Sequence, residues 1–298
     1  MRQCRYFAAL LCLIAVVATN LQRTPAQAIS GGTVDSSGSY PSVGFVLSYA
    51  SGGAASGCSG TLISANVVLT AGHCTYNVNG LTIVSFNADI ANSFPDASML
   101  IPQASDPFAG YTRSDSLPAG WHRGTAITHP EYSDFTDMDN WNDVGLIILD
   151  QAVTEIEPQR LAPVGYLEGD AYRKPNHTPI TIIGFGTAAQ TTDDKSQKTE
   201  LMTYPIARRF TDVVGQKLMP QVLQVNGNFH DARAGGGSCY GDSGGPGYLN
   251  GYLVAVISYS NTAKCRYLSG LQRLDVPAVH NWIFGVEGVD RVGASVSG

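Results

Sequence analysis

The amino-acid sequence predicts an all-β protein, a sandwich or a barrel, and three observations support that fold class. Only 14% of the 298 residues are charged, while Gly, Ser and Thr are abundant, which is typical of secreted β proteins. Short apolar runs alternate with turn residues along the chain. One helix stands out, from Pro277 to about Val286, with Asp275 as its predicted N-terminal cap.

Seven runs are predicted to be strands, because each is rich in Val, Ile, Leu, Tyr or Thr and is bounded by turn residues. They are Val43–Tyr49, Gly60–Ile63, Val67–Thr70, Leu81–Phe86, Val144–Leu149, Ile180–Gly184 and Tyr252–Ser258. Residues 92–125 are polar and contain Pro, so we expect an elaborated surface loop there. A boundary between two sets of strands is expected around residues 151–163. Residues 287–298 lack periodicity and are predicted to be a mobile tail.

The first 28 residues have the pattern of a secretory signal. Arg2 and Arg5 precede the apolar run Phe7–Ala18, and Ala26-Gln27-Ala28 follows as a small-x-small cleavage site. The apolar run is shorter than the roughly 20 residues of a membrane span. We therefore predict a secreted protein. Without residues 1–28 the chain would carry 15 basic and 24 acidic residues, a formal charge of −9, which disfavours nucleic acid or an anionic membrane as a partner.

Four cysteines would remain in the exported chain. In an oxidising compartment this even number indicates two disulfides, for which three pairings are possible. A zinc site is the alternative interpretation, but the sequence has no C-x-x-C pair and no histidine pair at ligand spacing. We therefore predict no metal and no cofactor. The four residues are Cys58, Cys74, Cys239 and Cys265.

Three segments carry the residue types that acyl transfer by a hydroxyl requires. The reaction needs a nucleophile, a base that takes its proton, an acid that holds the base in one tautomer, and N–H donors for the oxyanion. Ser243, His73 and Asp143 are the candidates for the first three roles. The glycines around Ser243 allow the Gly241 and Ser243 amides to point to one place. The segments are VLTAGHC (68–74), NDVGLIILD (142–150) and SCYGDSGGP (238–246).

Each candidate also has a plainer interpretation. A histidine taken alone is more often structural, and a serine among glycines can be a turn residue. Asp143 competes with Asp137, Asp139 and Asp150, but it alone begins an apolar strand that would bury it against an imidazole. The combination of the three segments favours catalysis.

These segments, in this order, resemble those of the chymotrypsin/trypsin family of secreted serine endopeptidases. ISGG at 29–32 resembles the mature amino terminus of that family, ITIIGFGT at 180–187 the strand that opens its second barrel, and Val254–Ser260 the strand along its substrate cleft. The likeness extends from Ile29 to about Val286. It implies two six-stranded antiparallel β-barrels, about 29–160 and 161–286, with the active site in the cleft between them and a C-terminal α-helix. The implied activity is hydrolysis of peptide bonds through an acyl-enzyme.

The resemblance also implies a disulfide pairing and a substrate pocket. It pairs Cys58 with Cys74 and Cys239 with Cys265. It places the uncharged Gly237 at the base of the primary pocket, so we expect no trypsin-like preference for Lys or Arg. The pocket would favour apolar side chains of medium to large size, or small ones if Ser260 narrows the entrance. The other predicted pocket residues are Ser238, Ser258, Tyr259 and Gly270.

Activation in the family frees an Ile or Val whose amine pairs with the aspartate before the catalytic serine. The resemblance gives these roles to Ile29 and Asp242. Cleavage after Ala28 would create this terminus during export, without a zymogen stage. The alternative is cleavage after Ala18, which would leave residues 19–28 as a propeptide.

Several positions depart from the family pattern. Gly72 stands where Ala is usual and Phe185 where Trp is usual, residues 210–232 contain no cysteine for a further disulfide, and the segment from His73 to Asp143 is longer than the norm. None of these changes removes a member of the predicted triad. We therefore predict a monomeric endopeptidase that acts on proteins or peptides and is open to protein inhibitors. The alternatives are a catalytically weak homologue that serves as a binding module and an esterase of the same chemistry.

Overall fold

The computed structural model describes residues 29–91, 101–193, 198–228, 231, 235–263, 265, 267–286 and 289. The predicted signal, residues 1–28, and all of the predicted tail except Val289 lie outside these residues. Val289 is buried in an apolar cluster beside the C-terminal helix. Among the described residues, we find no helix with the length and apolar character needed to cross a membrane.

The first barrel is a closed, antiparallel sheet of six strands. They are β2 (Val43–Ala50), β3 (Ala55–Ser64), β4 (Val67–Thr70), β5 (Val78–Ser85), β6 (Trp121–Thr128) and β7 (Gly145–Leu149). Their order around the barrel is β2-β3-β4-β7-β6-β5. An apolar cluster with side chains from five of these strands forms its core.

The second barrel follows in the chain and also has six strands. They are β8 (Pro179–Gly184), β11 (Arg209–Leu218), β12 (Val222–Asn226), β13 (Pro246–Leu249), β14 (Tyr252–Ser260) and β15 (Leu268–Arg273). The sheet closes because β8 pairs with both β11 and β13. Two further strands, β9 (Ala188–Asp193) and β10 (Lys198–Thr203), form a separate hairpin.

The amino-terminal segment lies on the second barrel, although residues 29–160 were predicted to form the first. The short strand β1 (Thr33–Val34) pairs with the start of β11. A buried ion pair follows, in which Arg208 Nε donates to Asp35 Oδ2 at 2.8 Å. The segment thus joins the two halves of the chain before the first barrel begins.

All seven predicted strands are confirmed in position, but the predicted loop at 92–125 is wrong at its end. Residues 121–125 belong to β6, which pairs with β5 and β7. The described part before β6 is not purely a surface feature either. Tyr111 is buried, its ring packs against Tyr49, and its hydroxyl donates to the Pro102 carbonyl at 2.6 Å. This apolar anchor explains why a polar stretch is held on the barrel.

The C-terminal helix α1 (Pro277–Gly285) is found where it was predicted, but Asp275 is not its cap. The capping position is Val276, which makes no side-chain capping bond. The Asp275 carboxylate instead accepts hydrogen bonds from Arg273 Nε and from the Leu167 N–H. The helix packs on a cluster of side chains from both barrels, so it helps to hold them together.

Candidate active site

Two neighbouring strands bring His73 and Asp143 to the same end of the first barrel. Thr70, the last residue of β4, lies opposite Gly145, the first residue of β7. Because the strands are antiparallel, the chain after Thr70 and the chain before Gly145 leave the barrel together. A Cβ on Gly72 would lie 2.9 Å from the Val144 nitrogen. The glycine that departs from the family pattern therefore permits this close approach.

The Asp143 carboxylate is fully buried and is surrounded by donors. Its Oδ1 accepts the His73 backbone N–H at 2.8 Å, and its Oδ2 accepts the Ser258 hydroxyl at 2.6 Å. His73 Nδ1 lies 3.1 and 3.0 Å from the two carboxylate oxygens. Since an ionised carboxylate can only accept, this contact assigns a proton to Nδ1, so that Nε2 carries the free lone pair whenever the imidazole holds a single proton.

The second barrel holds the backbone on either side of that carboxylate. The Asn142 N–H donates to Gln221 Oε1 at 3.0 Å, and the Asp143 N–H donates to Gln272 Oε1 at 2.9 Å. The Gln272 amide donates in turn to the Gln221 carbonyl at 3.1 Å. Neither glutamine was recognised from the sequence, because nothing in their local pattern indicates a partner on the other barrel.

Close approach of the backbone explains the glycines around Ser243. Gly241 and Gly244 have φ values of +90° and +78°, in the left-handed region that favours glycine. A Cβ on Gly244 would overlap Thr70 Oγ1. The Ser243 carbonyl also accepts the Ser59 N–H at 2.7 Å. These contacts bring Ser243 to the end of the first barrel where His73 lies.

The orientation of two peptide groups leaves the Gly241 and Ser243 N–H groups available. The carbonyl that precedes Gly241 accepts the Thr187 N–H at 2.6 Å, and the carbonyl that precedes Ser243 accepts the Gly245 N–H at 2.9 Å. In a trans peptide the N–H points away from the carbonyl. Within the described part of the chain neither N–H has an acceptor, so both could bind a ligand oxygen.

Ser243 borders two cavities of the cleft. One, of about 280 Å³, lies beside the Cys239–Cys265 disulfide and Tyr259. The other, of about 430 Å³, extends past His73 to Tyr204. The two cavities therefore leave space on either side of Ser243, where the residues before and after a scissile bond could lie.

Three serine hydroxyls meet beside the first cavity, and one of them, that of Ser260, belongs to a residue that lines it. Ser238 Oγ lies 2.9 Å from Ser269 Oγ and 3.3 Å from Ser260 Oγ, and Ser260 Oγ donates to the Ser238 carbonyl at 3.0 Å. Ser238 and Ser269 are only 1% and 2% exposed. Ser269, which was not recognised from the sequence, therefore belongs to the same cluster of hydroxyls as Ser238 and Ser260.

Two predicted pocket glycines are covered rather than exposed to the cavity. A Cβ on Gly270 would overlap the Tyr259 ring, and a Cβ on Gly237 would overlap the Gly227 carbonyl. Gly270 thus allows the Tyr259 ring to pack against it, and Gly237 packs against the Gly227 backbone. A third predicted pocket residue, Ser258, turns its hydroxyl to Asp143, as described above.

Asp242 is fully buried next to the amino-terminal segment. Its carboxylate accepts the N–H groups of Cys239 and Gly186, both at 2.8 Å, and that of Ile29. Burial raises the pKa of Asp242 to about 7, against the opposing effect of these hydrogen bonds and of the Arg209 charge. A positive charge beside Asp242 would therefore favour its ionised form.

The residues after Ile29 form part of the same region. Ile29 is fully buried, and the Gly237 N–H donates to the Ser30 carbonyl at 2.9 Å. The structure thus brings the predicted terminus, Asp242 and the base of the predicted pocket together.

The two disulfides are Cys58–Cys74 and Cys239–Cys265, the pairing that the resemblance implied. They close sequence separations of 16 and 26 residues. The Cys58 and Cys74 sulfurs and a His73 nitrogen lie within 4.8 Å of one another. Since both sulfurs are joined in a disulfide, neither is a thiolate that could bind a metal.

The sequence is similar to those of known proteins over most of its length. Residues 29–103 and 109–283 match the family model described as Trypsin. Serine protease SP24D of Anopheles gambiae is 30% identical over 237 residues, which are 78% of this chain and 71% of that protein. Trypsin-2 of Salmo salar is 27% identical over 211 residues, 68% of this chain and 73% of that protein.

Solved structures show the same fold. The structure titled HL collagenase has a TM-score of 0.60 and 19% identity, and the match covers 87% of this chain and all of that one. Human heparin binding protein has a TM-score of 0.56 and 18% identity, covering 87% and 96%. At these identities the likeness concerns the fold alone.

Proposed function

Because the chain belongs to the trypsin family and is a serine-type endopeptidase, we propose that Ser243 is its nucleophile, His73 its general base and Asp143 the acid that orients the base. One observation carries this assignment. Buried Asp143 holds His73 by Nδ1, and His73 borders the same cavity as Ser243. Protein or peptide substrates follow from membership of the family.

In the proposed reaction, Ser243 Oγ attacks the carbonyl carbon of the scissile bond while His73 Nε2 takes the hydroxyl proton. The carbonyl electron pair moves onto oxygen, where the Gly241 and Ser243 N–H groups stabilise it. The imidazolium then protonates the leaving nitrogen as the C–N bond breaks, and an ester remains on Ser243. Water attacks that ester, His73 takes a proton from the water and returns one to Ser243 Oγ, and the acid product leaves.

The contact between base and nucleophile is expected to tighten when substrate binds. Among the described residues, no hydrogen bond joins Ser243 Oγ to His73. Such contacts are often long before a substrate excludes water from the site. The short Asp143–His73 contacts at 3.0 and 3.1 Å already set the ring orientation that the reaction needs.

For specificity, we propose that the residue before the scissile bond has a small side chain. Ser260 lines the cavity beside Ser243, its hydroxyl is held by contacts with Ser238, and it carries no charge. This favours the small-residue alternative over the medium or large apolar side chains that the sequence first suggested. A peptide-library digest should show cleavage mainly after Ala, Ser, Thr or Val. Dominant cleavage after Phe, Leu, Lys or Arg would contradict the proposal.

A matched pair of variants tests the cause of that preference. Ser260→Gly removes the hydroxyl at the entrance, so cleavage after larger apolar residues should increase. Ser56→Ala, an exposed serine that lines the other cavity, should leave the preference unchanged. If both variants cleave after the same residues as the wild type, Ser260 does not limit the pocket.

The proposal also includes export and an amino terminus at Ile29. Supporting observations are the signal-like residues 1–28 and the burial of Ile29 against Asp242. Removal of the leader would convert the Ile29 amide into an ammonium that pairs with Asp242. We further propose a secreted monomer, with the two barrels as its halves, that acts without a cofactor, nucleic acid or membrane and is open to protein inhibitors. Intact-mass analysis of the secreted protein should give a terminus at Ile29; a stable, inactive form that begins at Thr19 would contradict direct activation.

The proposed nucleophile is tested by Ser243→Ala on a protein substrate and on a small ester. We expect loss of both activities with the fold retained, because the variant removes only the attacking oxygen. Ser56→Ala provides the control. Turnover of esters with no cleavage of any protein by the wild type would favour the esterase alternative, and binding without turnover would favour the binding module.

A further inference from the structure

A chain of two hydrogen bonds joins Trp141 to the Asp143 carboxylate. The indole Nε1 of Trp141 lies 2.9 Å from Ser258 Oγ, and Ser258 Oγ lies 2.6 Å from Asp143 Oδ2. Trp141 is 5% exposed, Ser258 is 3% exposed, and Asp143 is fully buried. Both hydrogen bonds are therefore shielded from water.

The chemistry of its members fixes the direction of this chain. An indole N–H can only donate, and an ionised carboxylate can only accept. The Ser258 hydroxyl must therefore accept from Trp141 and donate to Asp143. A hydroxyl that accepts a hydrogen bond becomes a better donor, since neighbouring bonds polarise one another in a buried site.

We propose that Trp141 is a positioning residue for this reaction: its indole N–H orients the Ser258 hydroxyl so that this hydroxyl donates its hydrogen bond to Asp143. The carboxylate then keeps the orientation in which it contacts His73 Nδ1. The inference depends on the proposed function, because it assigns Trp141 a role in orienting the proposed base. Trp141 touches none of the reacting atoms and acts only through Ser258.

The packing of the indole ring can be separated from this hydrogen bond. Its ring centroid lies 5.2 Å from that of Phe135 and 5.4 Å from that of Tyr259, and Phe135 in turn lies 5.4 Å from the His73 ring. A phenylalanine at position 141 would keep an aromatic ring between these neighbours and would lose the N–H donor together with part of the buried indole volume, a loss of volume that the same substitution at another buried tryptophan reproduces. Trp141→Phe is therefore the informative variant.

Trp121, elsewhere in the protein, provides a matched control. This residue is also buried, at 7% exposed, and packs edge-on against Phe45. Its indole N–H has no hydrogen-bond partner within the residues that the structure describes. Trp121→Phe makes the same chemical change without breaking a hydrogen bond.

The test compares kcat and KM of the wild type and the two variants on a peptide substrate. Active-site titration of each sample with a covalent serine reagent gives kcat per folded, competent molecule. We expect Trp141→Phe to lower kcat about fivefold, which corresponds to the loss of one buried hydrogen bond of about 1 kcal/mol, with KM changed less than twofold. Trp121→Phe should change neither constant. An unchanged kcat in Trp141→Phe, or an equal fall in Trp121→Phe, would overturn the proposal.

A double-mutant cycle tests whether Trp141 acts through Ser258. In a Ser258→Ala background the indole N–H has no hydroxyl to orient, so Trp141→Phe should produce no further fall in kcat. A full additive fall in that background would overturn the relay and assign the effect to packing. An inactive wild-type protein would overturn the proposed function together with this role, whereas an active wild type with additive variants overturns the role of Trp141 alone.

Discussion

The buried carboxylate of Asp242 predicts that a single residue added before Ile29 changes how stability depends on pH. In a chain extended by Ala28, Ile29 contributes an amide N–H to Asp242, whereas a chain that begins at Ile29 contributes an ammonium. Burial raises the pKa of Asp242 from 3.8 to about 7 when the partner is the amide. This difference corresponds to about 4 kcal/mol between the protonated and ionised forms.

The sign follows from which state holds the proton. Below about pH 4, Asp242 is protonated in both the folded and the unfolded extended chain and contributes nothing to their difference. As the pH rises from about 4 to 7, the unfolded chain releases the proton while the folded chain keeps it, so the free energy of unfolding falls. Above pH 7 the full cost of about 4 kcal/mol remains. In the chain that begins at Ile29, the ammonium favours the ionised carboxylate and should remove this loss.

Urea unfolding at pH 4, 5.5 and 7.5 measures the effect. Both chains carry Ser243→Ala to prevent self-cleavage, and the other titrating groups are common to both. We expect the stability advantage of the Ile29 chain to grow by up to about 4 kcal/mol between pH 4 and 7.5. Parallel pH curves for the two chains would refute the pairing of Ile29 with Asp242.

Two further predictions concern positions away from Ile29 and Asp242. Gly244→Ala should prevent correct folding of the Ser243 turn, because its Cβ would overlap Thr70 Oγ1. Gly251→Ala, at a similar φ of +80° but in open space, should lower the free energy of unfolding in urea by only about 1 kcal/mol; equal losses in the two variants would show that backbone strain, and not the overlap, sets the cost. His129 is buried, which lowers its pKa against the opposing effects of the Ala278 carbonyl and Glu131, so its contribution to stability is complete above about pH 6.5 and is lost as the pH falls. His129→Gln should therefore be less sensitive than the wild type between pH 7 and 5, and an unchanged sensitivity would contradict this.

Much of the fold could be predicted, because strands and turns leave local patterns. Val67–Thr70 was predicted to the residue, since a buried apolar run ended by a turn is a signal within the chain. The end of the loop before Trp121 was missed, because HRGTAIT in β6 has mixed polarity and its pairing with β5 and β7 decides its structure. Local pattern does not report a partner that is distant in sequence.

The candidate site shows the same limit. The candidate residues of short motifs, such as Ser243, could be proposed from the sequence. Residues that act through contacts between the barrels were missed, among them Gln272, which accepts the Asp143 N–H from 129 positions away. Asp275 was predicted to cap the helix because of its position, but its carboxylate accepts a hydrogen bond from the buried Arg273 instead. Ionic partners compete with caps, and only the folded structure shows which contact forms.

The measurement that tests the central claim most directly is mass spectrometry of the acyl-enzyme. The wild-type protein is mixed with a slowly deacylating ester, quenched in acid and digested, and the modified peptide is sequenced. We expect one acyl group per chain, on Ser243, and strongly reduced acylation in His73→Ala, which lacks the base that takes the hydroxyl proton. Acylation at another residue, or undiminished turnover by Ser243→Ala, would contradict the account.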